Sequence, residues 1–154
     1  MNPASTTAVT AVAAVATGLT AGVYLAFSVL VMPALVAAPP RPALAAMQRI
    51  NQLAQQPLFG LVFFAAAIGS GWVLAAPWLT GADRSPGPTV GAVLSLAAFA
   101  VTVVVNVPRN RRMAVLDASS PADLRTWPTI AGQWRWGNHL RAGCAALGLV
   151  AFLI

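Results

Sequence analysis

Three polar side chains lie inside an apolar stretch near the end of this sequence: Asn138, His139 and Arg141. As a helix, residues 141–154 cover only about 20 Å, whereas the hydrocarbon core of a bilayer is ~30 Å thick. A helix that crosses a membrane here would therefore begin near Trp134, which brings an amide, an imidazole and a guanidinium into the span. These groups offer hydrogen-bond donors, a cation and one titratable ring. They are costly in hydrocarbon, so a functional site is their default explanation.

Helical spacing sorts these residues onto two faces. Trp134, Asn138 and Arg141 follow one another at spacings of four and three and share a face, which favours a polar cavity over lipid contact. His139 lies about 100° away, on the side of Trp136. The alternative is structural, because tryptophan is ordinary at a membrane surface and an arginine one to two turns inside can snorkel toward water.

Two further segments carry asparagines. Asn106 and Asn110 stand four apart, so they share a face if the helix continues through Pro108, which has no amide donor. The alternative is a plain helix end with polar caps. Residues 43–56 combine apolar side chains at helical spacing with several glutamines, which predicts a short helix at the membrane interface. This helix either lies flat in the headgroup region or turns Asn51 inward to cap the bundle.

The composition is that of a membrane protein. Of 154 residues, 58% are hydrophobic and 8% are charged, against roughly 25% charged in an ordinary soluble domain. The net charge of +6 comes from nine arginines, no lysines and three aspartates. Because the arginines lie between long apolar runs and not along one polar face, nucleic acid is not an expected partner.

Four apolar runs reach, or nearly reach, the ~20 residues that a spanning helix needs: 7–38, 58–79, 89–107 and 134–154. They predict an all-α fold, a transmembrane four-helix bundle in one domain over residues 1–154, with the short interfacial helix between helices 1 and 2. Pro33 is expected to bend or end the first helix.

Arginine counts in the connections set the expected orientation. One side of the membrane has only Arg84, whereas the other has seven arginines. By the positive-inside rule the arginine-rich side is cytoplasmic and both termini lie outside. The expected location is a bacterial inner membrane. The seven arginines are Arg41, Arg49, Arg109, Arg111, Arg112, Arg125 and Arg135.

Together, these segments resemble the anthrone oxygenase-like family, small four-helix membrane proteins of bacteria and fungi. The matching pieces stand in the same order and with similar spacing over nearly the whole chain. They are residues 21–28 (AGVYLAFS), 32–35 (MPAL), 47–51 (MQRIN) and 106–110 (NVPRN), and Trp134 with 138–141 (NHLR).

The resemblance implies oxidation of an anthrone to an anthraquinone by molecular oxygen. The central CH2 of an anthrone lies between two aromatic rings and is conjugated to a carbonyl, so loss of a proton gives an electron-rich anion. A catalyst would need a general base, donors to the oxyanion and an apolar slot. We expect His139 as the base, Arg141, Asn138, Asn106 and Asn110 as the donors, Trp134 as a stacking surface, and Asn51 closing the site.

No cofactor is expected. One histidine, one cysteine and three aspartates are too few for a metal site, and no glycine-rich nucleotide loop follows a strand. The competing hypothesis is a non-enzymatic membrane protein that binds a small hydrophobic molecule or serves as an accessory subunit. A transporter ranks lower, since four helices without an internal repeat would have to oligomerise. The expected partners are membrane lipid and an aromatic small molecule, and a homo-oligomer stays open.

Overall fold

The fold is all-α. A computed structural model describes residues 3–81 and 84–154, with side chains from residue 6 onward. Its helices are α1 (Pro3–Ala26), α2 (Met32–Ala37), α3 (Pro40–Leu53), α4 (Pro57–Thr80), α5 (Pro86–Val101), α6 (Val107–Ala114) and α7 (Pro121–Phe152). Two π-helical segments, π1 (Phe27–Val31) and π2 (Thr102–Asn106), join α1 to α2 and α5 to α6. The described residues therefore form five continuous helical rods.

The helix ends follow from local sequence. Proline lies in the first turn of α3, α4, α5 and α7, where no amide donor is needed. Helix α7 is also capped by Ser120, whose hydroxyl accepts the Asp123 N–H at 3.3 Å. Gly81 ends α4 with a φ of 69°, a left-handed conformation that glycine adopts without steric cost.

Three rods are long and apolar enough to cross a membrane: Thr6–Ala37, Pro57–Thr80 and Pro86–Ala114. They overlap the predicted spans 7–38, 58–79 and 89–107, and they identify the chain as a membrane protein. Helix α7 is equally long, but its arginines lower its apolar character, so the fourth span stays a prediction.

Four helices pack side by side, with α1 against α4 and α7, and α5 also against α4 and α7. Small residues permit close approach at the contacts. A Cβ on Gly69 would lie 2.9 Å from the Ala13 Cβ, and one on Gly91 would lie 2.9 Å from the Gly148 carbonyl oxygen. The backbones of α5 and α7 are therefore nearly in contact near Gly91.

Pro33 and Pro108 each follow a π-helical segment. The Met32 N–H bonds to the Phe27 carbonyl, and the Val107 N–H bonds to the Thr102 carbonyl, each five residues back. The wider turn makes room for the ring of the next residue, Pro33 or Pro108, whose fit in a regular helix would be poor. The first helix therefore does not end at Pro33, since the rod continues through a π-turn to residue 37.

Helix α3 covers the end of the bundle where α2, α6 and α7 meet. Its buried side chains Leu44 and Met47 pack in one core cluster with Met113 and Trp127. The Gln48 amide donates to the carbonyls of Met113 and Leu116, both at 2.8 Å, and so supplies donors at the end of α6. One face of α3 is therefore packed on protein. Its position at a membrane surface stays a prediction.

Candidate functional site

Arg141 lies inside the helix bundle and is 8% exposed. Its Nε and Nη2 donate to the Asn138 Oδ1 at 3.0 and 2.9 Å, and its Nη1 donates to the Thr102 Oγ1 at 3.3 Å. The guanidinium carbon lies 4.2 Å from the centre of the Tyr24 ring and 5.1 Å from the Trp134 ring. Two aromatic faces and two neutral oxygens thus stabilise the cation.

In the part of the chain that the structure describes, no carboxylate balances this charge. Within residues 3–81 and 84–154, no aspartate forms an ion pair with Arg141, and only three of its five N–H groups have a partner. A buried cation without a counter-ion is costly. The same arrangement would stabilise an anion brought to the free side of the guanidinium, because Coulomb attraction is strong where water is excluded.

Asn138 connects Arg141 to the first rod. It is fully buried, and its Nδ2 donates to the Tyr24 carbonyl at 2.8 Å and to the Ser28 Oγ at 2.7 Å. With both amide hydrogens on these acceptors, the Oδ1 must face Arg141. The orientation of the guanidinium is therefore set by contacts with α1 and π1.

Asn106 and Asn110 lie on one face, because the helix continues through Pro108. Asn106 is fully buried, and its Nδ2 donates to the Trp134 carbonyl at 3.1 Å. The Trp134 Nε1 in turn donates to the Asn110 Oδ1 at 2.7 Å. Both asparagines therefore hold Trp134, whose ring also contacts Phe27 with centroids 5.4 Å apart.

Close contact between π2 and α7 depends on Gly137. A Cβ there would lie 2.5 Å from the Val105 Cγ1 and 3.1 Å from the Asn106 Oδ1. A larger residue would displace the rod of residues 86–114 and with it Asn106, which holds Trp134.

We expect Gly137→Ala to lower the free energy of unfolding by about 1–3 kcal/mol, because the added methyl overpacks a tight contact. The matched control is Gly132→Ala on the same helix, where a Cβ meets nothing within 4 Å and the better helix propensity of alanine should add roughly 1 kcal/mol. Thermal unfolding in detergent, followed by circular dichroism, measures both. Equal stability of the two variants would contradict the tight contact.

His139 does not join this cluster. It is exposed on α7, next to Trp136, which is 64% exposed. One residue turns a helix by about 100°, so the burial of Asn138 directs the next side chain outward. A role for His139 as a base for a substrate at Arg141 therefore has no geometric support from these contacts.

Asn51 lies one turn after Met47 on the packed face of α3 and is half-buried. Among the described residues it makes no side-chain hydrogen bond to the Arg141 cluster, and its buried Nδ2 has no hydrogen-bond partner. The Asn106 Oδ1 and the Arg109 Nε are likewise buried without a partner there. Buried polar atoms of this kind are uncommon and fit a bound molecule or water.

Sequence reasoning missed three members of the cluster: Tyr24, Ser28 and Thr102. Tyr24 is the chain's single tyrosine, and Ser28 follows it at a spacing of four, which puts both on one helix face. Thr102 precedes Asn106 by the same spacing. These spacings were available signals, but serine and threonine in helices usually bond to their own backbone, as the Thr102 hydroxyl does with the Ala98 carbonyl at 2.9 Å.

No group of three or more metal-binding side chains comes together in the described part of the chain. One small cavity borders Tyr24, with about 10 Å³ of free volume. A larger apolar groove of about 560 Å³ lies between α1 and α4, lined by residues that include Val12, Leu61 and Phe64. Entry of a three-ring substrate next to Arg141 through the small cavity would require the helices to move apart.

The family model described as anthrone oxygenase matches residues 47–151, more than half of the chain. This range contains Asn106, Trp134, Asn138 and Arg141. It does not contain Tyr24, which precedes its first residue. Neither the curated proteins nor the solved structures gave a match.

Proposed function

Since this chain belongs to the anthrone oxygenase family, we propose that it oxidises an anthrone-type or related aromatic, membrane-soluble substrate with molecular oxygen and without a bound cofactor. The balance of the reaction is that of a monooxygenase: one oxygen atom replaces the two hydrogens of the CH2 group as a carbonyl oxygen, and the other oxygen atom leaves as water with those hydrogens. The substrate itself supplies the electrons.

Arg141 is the observation that carries this proposal. Transfer of a proton from the CH2 group to a water molecule moves negative charge onto the carbonyl oxygen of the anthrone. A guanidinium with free N–H groups and no carboxylate partner within the described residues would stabilise that oxygen more in the anion than in the neutral substrate, which lowers the barrier to proton loss. The anion then gives its electrons to dioxygen.

The neighbouring residues would position the substrate and the cation. Asn138 aims the guanidinium through its Oδ1, while Trp134 and Tyr24 offer flat apolar faces for the rings. Asn106 and Asn110, expected as oxyanion donors, would act here through Trp134, which they hold by hydrogen bonds.

Asn51 would close the site from α3. Its buried, unpaired amide nitrogen is available to a polar group of the substrate. A buried donor without an acceptor is an unfavourable arrangement, which a bound oxygen atom would relieve.

In the proposed architecture, α1, α4, α5 and α7 form a transmembrane four-helix bundle of a bacterial inner membrane. Helix α3 would lie at the cytoplasmic interface between the first two spans, and both termini would lie outside. Exposed apolar side chains such as Leu58 and Ile68, 75% and 71% exposed, would contact lipid, and a second copy of the chain is a further candidate partner.

The test is oxygen uptake by the purified protein in lipid nanodiscs with a simple anthrone. We expect a rate above the uncatalysed background and transfer of one atom of heavy-isotope dioxygen into the quinone product. A rate equal to the background would contradict the proposal for that substrate.

We expect His139→Ala to keep turnover within about threefold of the parent protein, because the exposed imidazole lies outside the Arg141 cluster and a general base would contribute roughly a hundredfold or more. The same oxygen electrode measurement checks it, with the neighbouring exposed Trp136→Ala as control. A loss above a hundredfold in the histidine variant alone would restore His139 as the base and place the substrate on the outer face of α7.

A non-enzymatic role has one observation in its favour. The hydrogen bonds of Arg141 and Asn138 connect three rods, as a purely structural polar network would. A protein of that kind would bind an anionic hydrophobic molecule or a partner subunit without consuming oxygen, so ligand binding without oxygen uptake separates it from the oxygenase.

A further inference from the structure

The small cavity beside Tyr24 is placed where all four bundle helices meet. Helix α1 contributes Tyr24, α4 contributes Phe63, α5 contributes Ala98 and α7 contributes Ala145. Its free volume of about 10 Å³ is that of one water-sized molecule. Methyl groups and aromatic rings form most of its wall, so the cavity suits one small apolar molecule.

The Thr20 and Ser95 hydroxyls at the cavity each already make one hydrogen bond. The Thr20 hydroxyl donates to the Thr17 carbonyl at 2.9 Å, and the Ser95 hydroxyl is hydrogen-bonded to the Thr17 hydroxyl at 2.9 Å. A buried water needs two to four polar partners. The cavity therefore offers a poor site for water, whereas a diatomic gas needs no hydrogen bonds.

Tyr24 is shared by the cavity and the cation. Its ring lines the cavity and also contacts the Arg141 guanidinium, whose carbon lies 4.2 Å from the ring centre. Only the Tyr24 ring would therefore separate a gas molecule in the cavity from a substrate anion bound at Arg141.

We propose that this cavity is a binding site for dioxygen, the co-substrate. This inference rests on the proposed function, because dioxygen held beside Tyr24 serves a purpose only if a substrate anion forms near Arg141. Oxygen is apolar and concentrates in the hydrocarbon part of a membrane, and Phe63 and Phe99, stacked with centroids 4.8 Å apart, form the cavity wall on the side of α4 and α5.

The kinetic test is Ala98→Val, which fills the cavity from α5. We expect the KM for dioxygen to rise roughly tenfold or more, because valine adds two carbons and a single added carbon in a small pocket already has an effect of that size, with the KM for the anthrone unchanged. Ala92→Val is the matched control, since Ala92 is a buried alanine of the same helix that does not line the cavity. Ala145→Val repeats the test from α7 if Ala98→Val does not fold.

A second measurement needs no turnover. Dissolved dioxygen is paramagnetic, so under oxygen pressure it broadens the NMR signals of methyl groups that it contacts. In protein labelled at alanine methyls, we expect stronger broadening at Ala98 and Ala145 than at Ala43 and Ala131, which are equally buried in a different core cluster.

The outcomes separate the two proposals. No oxygen uptake by any form of the protein contradicts the proposed function. Uptake with an unchanged KM for dioxygen in both cavity variants, or equal broadening at all four alanines, overturns the dioxygen site. Transfer of magnetisation from water to the Ala98 and Ala145 methyls would also overturn it, since the cavity would then hold water.

Discussion

Replacement of Arg141 by methionine should lower the turnover of an anthrone roughly a hundredfold to a thousandfold, the usual cost of removing one group that stabilises an oxyanion. The same change should leave the melting temperature nearly unaltered. Methionine removes the desolvation cost of a buried cation without a counter-ion, and this gain offsets the hydrogen bonds to Asn138 and Thr102 that are lost.

Oxygen uptake and thermal unfolding of the same nanodisc sample measure the two effects. Arg135→Met is the matched control, because Arg135 lies exposed on the same helix and its loss should change neither quantity. Arg141→Lys keeps the charge but has a single donor group and cannot bond to Asn138 through two nitrogens, so we expect intermediate turnover. Unchanged turnover in Arg141→Met would remove Arg141 from the reaction.

Conversion of Asn138 to aspartate should lower turnover to a similar extent, although the guanidinium keeps a hydrogen-bond acceptor at this position. The new carboxylate would pair with Arg141 and neutralise the charge that the substrate anion needs, and it would face the Tyr24 carbonyl without the hydrogen that now joins them. This variant therefore tests the charge of Arg141 separately from its position.

Ser28→Ala is the matched control for Asn138→Asp. It removes one hydrogen bond of the Asn138 amide without changing any charge, so we expect a loss of about 1 kcal/mol in the free energy of unfolding and turnover near that of the parent protein. If Asn138→Asp turned over the anthrone at the parent rate, the reaction would not require a cation without a counter-ion.

The final helix was the part of the site most open to prediction from sequence. Spacings of four and three put Trp134, Asn138 and Arg141 on one face, and all three are buried, at 2%, 0% and 8% exposure. The same geometry turns His139 outward. Its inclusion in the candidate site came from the resemblance and from the chemistry of imidazole, neither of which specifies where a side chain points.

The other walls of the site depend on which helices become neighbours. A stripe of hydrophobic residues in a membrane helix does not identify the helix against which it packs. The contact of Tyr24 and Ser28 with α7 could therefore not be deduced from their own segment. The π-turns could not be predicted from the sequence either. A proline can end a helix, bend it or follow a wider turn, and which of these occurs depends on the packing of neighbouring helices.

The π2 segment determines the direction in which the side chains that follow it in the same rod point. An α-helix turns about 100° per residue, so twelve regular residues between Ala98 and Asn110 would place Asn110 about 120° around the axis from Ala98. The wider turn at π2 takes up roughly one extra residue and returns Asn110 to the side on which Ala98 packs in the bundle. The same number of residues wound as a regular α-helix would rotate Asn110 by about 100°, away from the indole of Trp134.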